Sequence, residues 1–325
     1  VRAVRAVACA GLVAAFAAAS ASAAPRGLEL RIDNDSFVVS RADDERWYTS
    51  GLFLRLAFDA PPEAPDARLA AGWCARVVAC DPGAATWRVA SLNSRIFTPG
   101  LTGTPAPQPY DRPYAATLAL GGAIVVAGER TRQTLELQLG TVGPAALGEP
   151  VQNALHALLG QPEARGWAWQ LRPRALAQLG WSRVTVHRLG ASGAQAVLRT
   201  GVLLGTPQTQ GELGAMLRLG DAGPTWPGES LGARVPAGWQ AYVGVEGRAV
   251  AHDALIDGAT FGYASRVRRE PFAGAAFVGA SYGPWHDWRL EFAVAVHTVA
   301  FESPMPAYPL RAQRIGTIAL RWDPR

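Results

Sequence analysis

A chain of 325 residues, 49% apolar and 18% charged, has room for one large domain or two modest ones. Its formal charge is +5, and the chain contains no lysine, so its basic side chains are Arg and His. No basic cluster resembles a nucleic-acid patch, which excludes that class of partner.

The chain opens with "VRAVRAVACAGLVAAFAAASASAAPRG". Arg2 and Arg5 form a positive start, an apolar run follows to about Ala19, and Ala21-Ser22-Ala23 supplies small residues for cleavage. Residues 1–23 therefore read as a secretory signal peptide, too short in its apolar run to span a bilayer. Cys9 lies too early in that run for a lipoprotein site. Without Arg2 and Arg5 the formal charge falls from +5 to +3. Residues 24–325 read as one domain, with no internal repeat. No later stretch suits a spanning helix, so a membrane location requires a barrel.

Strict alternation recurs along this domain. In "WQAYVGVEGRAVAHD", Trp239, Ala241, Val243 and Val245 face one way, and Gln240, Tyr242, Glu246 and Arg248 tend to the other. "TLELQLG" and "RLEFAVAVHTV" alternate likewise. Period two means strands with one apolar face. A soluble sandwich gives the same pattern. Two features favour an all-β, transmembrane, antiparallel up-and-down barrel. Its polar face carries both charge signs, and aromatics such as Trp47, Tyr48, Trp87, Trp239, Tyr282, Trp288 and Trp322 fall near strand ends as interfacial girdles would.

Strands are expected near 27–38, 47–58, 86–95, 113–125, 131–141, 174–187, 195–205, 210–219, 239–252, 271–282, 287–301 and 312–322. That is about twelve, an even number as single-chain bacterial barrels have. Long Pro/Gly-rich connections at 59–85, 96–112, 142–173 and 220–238 would be extracellular. In an exported protein, Cys74 and Cys80 in "WCARVVACDPG" suggest a local disulfide rather than a metal pair.

Four stretches carry candidate chemistry. "RIDNDSF" places Asp33 and Asp35 on the face of Glu29 and Arg31, and leaves Asn34 facing out or the strand irregular. An Asn-Asp pair suits a hard cation, and it equally suits a turn. "DDERWYTSGLFL" offers Trp47 and Tyr48 as interface aromatics, and Thr49 and Ser50 as hydroxyls that position a substrate oxygen or satisfy backbone. "YDRPYAATLAL" sets Asp111 and Arg112 before a strand-opening Pro113. "GPAALGEPVQNALHALLG" predicts a short loop helix near 149–159, with Glu149 and Pro150 in its first turn and Gly160 as its stop. Val151, Leu155, Leu158 and Leu159 form an apolar stripe that should pack inward, and Gln152 and His156 share an adjacent face. A neutral His is the commonest general base near neutral pH. His187, His252, His286 and His297 read as structural.

Taken together, "NDSF", "WYTSG", "YDRPYA" and "GPAALGEPVQNALHALLG" resemble the outer-membrane lipid A 3'-O-deacylase family, in that order, between about Leu28 and Trp169. The resemblance implies a twelve-stranded outer-membrane barrel, in agreement with the strand count. It implies Ca²⁺-dependent hydrolysis of the ester holding the 3'-linked acyloxyacyl group of lipid A. It places the catalytic positions on Asn34, Asp35, Thr49, Gln152 and His156, with Asp35 as the metal ligand. The partners so implied are lipopolysaccharide and outer-membrane lipids, without an obligate protein partner. One departure is clear: the loop "FTPGLTGTPAPQPYDRPYA" has no lysine where the family's best-known member has one. Thr102 and Thr104 are nearest by position, and Arg112 is the nearest cation, a candidate for a substrate phosphate. Two alternatives stand beside this reading. One is a calcium-dependent outer-membrane phospholipase, which would normally show a Ser-His pair on strands. The other is a porin or non-catalytic barrel, which requires an open lumen.

Overall fold

Alternation of side chains is what closes this chain on itself. The computed structural model describes residues 25–38, 47–76, 78–190, 193–220, 222–233, 235–257, 265–285, 287–306 and 310–324. The expected signal peptide and His286 lie outside them. Twelve strands form the closed barrel: β1 (Pro25–Asn34), β2 (Trp47–Asp59), β3 (Ala85–Thr98), β4 (Ala115–Ala127), β5 (Thr131–Val142), β6 (Arg174–Leu189), β7 (Ala194–Gly205), β8 (Gln208–Leu219), β9 (Gly238–Asp253), β11 (Phe272–Trp285), β12 (Trp288–His297) and β14 (Gln313–Trp322). The short β10 (Arg268–Arg269) and β13 (Phe301–Glu302) pair only with each other. Three helices complete the described residues: α1 (Pro65–Arg76), α2 (Gly148–Leu159) and α3 (Ala254–Asp257). Every barrel strand is antiparallel to its neighbours, and β14 closes on β1 from Leu28↔Trp322 to Asn34↔Gly316.

The apolar face points outward. On β9, Trp239 and Val243 are 61% and 56% exposed, while Gln240 and Tyr242 between them are 7% exposed. A soluble sandwich would bury the first pair, so the barrel reading holds. The lumen is polar instead: Glu29, Arg132, Ser182 and Arg321 are all buried there. The expected girdle of aromatics is only half present. Trp239, Tyr282 and Trp288 are exposed near the end that carries the termini, and Trp288 lies 6.5 Å from Trp322. Trp47, Tyr48 and Trp87 turn inward to protein contacts instead.

Strand direction also corrects the placing of the long connections. Segments 99–114 and 143–173 lie at the end opposite the termini, as expected, but 60–84 and 220–237 lie at the terminal end. The second of these folds up into the lumen. Trp226 packs edge-on to Phe277 at 5.4 Å. Glu229 accepts hydrogen bonds from Ser182 Oγ and Arg199 Nε, each at 2.8 Å. Leu231 O accepts from Trp87 Nε1 and Arg132 Nη2. Gly232, at φ +77, lets the backbone lie against the Trp87 ring, where a side chain would not fit. The floor of the barrel is thus a plug made by its own chain.

The first of these segments carries α1, which packs against β3 and β4. Arg88 alternates with the lumen-facing Trp87 and reaches Asp66 of α1, with Nη2 at 2.7 Å from Oδ1. A disulfide joins Cys74 to Cys80, as the spacing suggested. Asp81 beside it accepts the backbone N–H groups of Arg130 and Thr131, which ties the segment to the β4–β5 turn.

Candidate active site

At the end opposite the termini, the outer wall of β1 to β4 changes character. Leu30 and Ile32 are outward residues of β1, 41% and 37% exposed. Asn34 is the next outward position, yet only 5% of it is exposed. There the strand ends in a 3-10 turn, Asp35–Phe37, and the Asn34 side-chain oxygen accepts the Ser36 N–H at 2.7 Å. Phe37 folds onto β14 at Gly316, where an added Cβ would lie 2.5 Å from the Phe37 Cβ. The turn therefore covers the outer face of the wall and holds Asp35 there, 3% exposed. Asp33 goes the other way. It receives Arg31, Thr317 Oγ1 and the Tyr48 hydroxyl, at 2.8, 2.9 and 3.1 Å. Asp33 and Asp35 do not share one strand face, because β1 ends between them. The Asn-Asp stretch is both a turn and a cluster of buried oxygens, so the two sequence readings of it are compatible.

Thr49 sits one strand over. The β2–β3 register slips between Tyr48 and Ser50, which makes Thr49 the extra residue of a β-bulge. A bulge re-aims a side chain at a sheet rim. Trp47, just before it, has φ +68, a left-handed backbone that a bulky residue rarely takes. Its ring is locked edge-on to Phe301 at 5.6 Å. Thr49 is 3% exposed, and its Oγ1 lies 2.8 Å from Oγ1 of Thr98 at the end of β3. Thr98 was not singled out from the sequence.

The helix α2 lies against β3 and β4. A small core outside the lumen seats it: Ile96, Tyr114, Ala116, Ala146, Ala164 and Trp167. Gly148 is required there, because an added Cβ would fall on the Trp167 ring and 2.5 Å from the Ala116 Cβ. Gly160, at φ +67, ends the helix as expected. The packing face, however, is the reverse of the expected one. Val151, Leu158 and Leu159 are 47%, 82% and 53% exposed, whereas Gln152 and His156 are 2% and 3% exposed. The polar side of α2 meets the barrel and its apolar side faces away from it. This is the same inversion as in the strands.

Around His156 the bonds are directional. Its Nδ1 lies 2.6 Å from Pro162 O, and its Nε2 lies 3.4 Å from Gln152 Nε2. The Gln152 carbonyl oxygen accepts the Trp167 indole N–H at 3.0 Å. A carbonyl can only accept, so His156 carries a proton on Nδ1, and the Gln152 NH₂, its oxygen taken by Trp167, is turned toward Nε2. Asn153 clamps the returning strap, donating to Ala164 O at 3.3 Å and accepting from Ala164 N at 2.9 Å. Pro162 and Trp167 were not singled out from the sequence: Pro162 contributes a backbone oxygen, and Trp167 a single indole N–H.

Arg112 is placed elsewhere. It is 5% exposed, stacks 4.4 Å over the lumen-side ring of Phe97 and donates to Leu255 O at 3.3 Å. Burial pulls its guanidinium down to about 10 against the pull of Asp253 and Asp111, so it stays charged at neutral pH. Arg112 thus lines the lumen cavity, away from the outer wall that carries Asn34 and Asp35. In the loop without a lysine, the Thr102 carbonyl accepts the Tyr114 hydroxyl and the backbone N–H of the exposed Arg165. Of the other histidines, His252 bonds the Thr206 carbonyl at 3.1 Å. His297 lines a lumen cavity of about 400 Å³ beside Arg31 and Asp33. Among the described residues no three His, Cys, Asp or Glu side chains converge as a metal cluster. The Asn34–Ser36 turn offers hard oxygens, one carboxylate with amide and hydroxyl groups, and that donor chemistry fits Ca²⁺ and not a softer metal.

A family profile described as "Outer membrane protein LpxR" matches residues 6–323. The chain belongs to the LpxR outer membrane protein family. The solved LpxR from Salmonella typhimurium has the same fold at a TM-score of 0.71 and 18% identity, covering 91% of this chain and 99% of that one. The β domain of the Bordetella autotransporter BrkA is more distant, at a TM-score of 0.48 and 9% identity over 91% of this chain and 98% of that one. No curated protein matches the chain. Membership of the LpxR family and the closed barrel place the protein in the outer membrane.

Proposed function

We propose that this LpxR-family barrel is a lipid A 3'-O-deacylase, a carboxylic ester hydrolase acting on the 3'-linked acyloxyacyl group. The observation that carries the proposal is the inward turn of Gln152 and His156 against the outer wall, at the same barrel end as Asn34, Asp35 and Thr49. A catalytic group there works beside the lipid phase, so acyl chains need not leave the membrane. The exposed Val151, Leu158 and Leu159 extend the apolar outer surface of the barrel past this site.

The steps follow from the side chains. His156 Nε2 takes a proton from water as that oxygen attacks the ester carbonyl carbon. The Thr49 hydroxyl donates to the oxyanion that forms. When the tetrahedral intermediate collapses, the bond to the sugar oxygen breaks, and His156 returns the proton to that oxygen. The Gln152 amide, its N–H directed at Nε2, keeps that nitrogen unprotonated until water displaces it there. Asp35, with Asn34, would hold Ca²⁺. A bound Ca²⁺ supplies Lewis-acid polarisation of the carbonyl.

A porin reading finds no support in a lumen filled from below by 222–233. The test is mass spectrometry of lipid A from cells with and without the protein, with and without a calcium chelator. Loss of the 3' acyloxyacyl mass, reversed by chelation, is expected. Unchanged lipid A alongside accumulating lysophospholipid would overturn the proposal in favour of a phospholipase.

A further inference from the structure

We infer that Trp167 is a positioning residue for the base, acting through Gln152. The inference rests on His156 being that base. An indole N–H is donor only, so its bond at 3.0 Å must go to the Gln152 oxygen. The Gln152 NH₂ is then forced toward His156 Nε2, at 3.4 Å. An N–H aimed at Nε2 calls for an acceptor there, that is, a nitrogen without a proton. At the other side of the ring, Pro162 O requires the proton on Nδ1. These two contacts select the same tautomer, in a row that runs from Trp167 to Gln152 to His156 to Pro162.

The row is rigidly built. Trp167 is 1% exposed and packs 4.9 Å from the Tyr114 ring, over Gly148 and Ala116. Its ring cannot rotate without displacing them. Without the indole N–H, the Gln152 amide is free to turn over and offer its oxygen to Nε2. That arrangement favours a proton on Nε2 and also favours the doubly protonated ring, because a carbonyl beside Nε2–H stabilises both. The base would then be silenced over a wider acid range without losing its place.

Trp167→Phe removes the N–H and keeps the ring packing. Gln152→Glu keeps the shape but puts an acceptor beside Nε2. Both full-length variants, folded in detergent and checked by heat-modifiable migration, are compared with the native protein for 3'-acyl release between about pH 5 and about pH 9. The acidic limb of kcat is expected to move up by about one pH unit in Trp167→Phe and further in Gln152→Glu. On the acidic side of the profile the Phe variant should lose up to roughly tenfold in kcat, the one-unit shift itself, with KM unchanged and a smaller loss in alkali. A purely structural role would lower the rate equally at every pH. An acidic limb that stays in place in Trp167→Phe overturns the inference, whatever its rate and whatever Gln152→Glu does; if that variant does not fold, the ring ¹⁵N shifts of His156 in the native barrel decide, and an Nε2–H tautomer there overturns it. Activity retained in His156→Ala would instead remove the base itself, which separates failure of the underlying reading from failure of this one.

Discussion

Thr49 and Thr98 meet hydroxyl to hydroxyl at 2.8 Å across the β2–β3 bulge, with 3% and 0% of their surfaces exposed. One hydroxyl must donate to the other, so the second proton of the pair is left to point elsewhere. If Thr98 accepts nothing from Thr49, the Thr49 proton is available to an oxyanion. Thr98→Val removes the partner and keeps the shape. It should cost about 1 kcal/mol of stability and a roughly tenfold loss in acyl release, while Thr98→Ser keeps both near native. Denaturant midpoints and rates on the same samples check this. Equal activity in the Val and Ser variants would dissociate Thr98 from the site.

The inverted helix gives a second prediction. Leu158 on α2 is 82% exposed and Gln152 is 2% exposed. In a background with Cys74 and Cys80 left paired, Leu158→Cys should react rapidly with a thiol reagent in detergent, and Gln152→Cys should stay protected until denaturation. Rapid labelling of both, or of Gln152→Cys alone, would contradict the seating of α2.

Much of the barrel was legible in the sequence, because period two is a local signal and a strand must show it. Trp239 to His252 displayed its two faces plainly. What the alternation did not reveal was direction: which residues of α2 look inward depends on what surrounds the helix. An apolar stripe in water belongs in a core, and that rule puts Val151 and Leu158 there. On the outside of a membrane barrel the rule reverses, and the buried side is the one with Gln152 and His156. Asn34, Asp35, Thr49, Gln152 and His156 stand out as candidates through their joint order along the chain. Thr98, Pro162 and Trp167 were not found. Thr98 is one threonine among many, Pro162 contributes a backbone oxygen, and the indole of Trp167 matters through a single N–H. The bulge at Thr49 was equally hidden, since a register slip leaves no mark on composition.

The plug predicts electrical silence. With Glu229 held by Ser182 and Arg199, and Leu231 held by Trp87 and Arg132, the lumen is closed at its floor. The native barrel in a planar bilayer should show no steady conductance. Replacing 222–233 by a short Gly/Ser linker should open an ion path. A conducting native protein would refute the closed floor.

The pH dependence of the terminal end follows from Asp66. The hydrogen bond from the Arg88 guanidinium, with burial opposing, holds its carboxyl below the ordinary value of 3.8. A depressed carboxyl contributes stability that is fully present above its unfolded value and is lost as pH falls through the folded one. The docking of α1 should therefore persist at pH about 5 and weaken below about 3.8. Hydrogen exchange over 65–76 reads this out. Protection that does not change between those conditions would contradict it.

The central claim is that His156 performs the hydrolysis at the outer wall. The most direct measurement is mass spectrometry of purified lipid A incubated with the folded native barrel and with His156→Ala at equal concentration. The account predicts loss of the 3' acyloxyacyl group with the native protein and a fall of at least about a hundredfold in the variant, with the barrel still heat-modifiable. Equal deacylation by both proteins would contradict it.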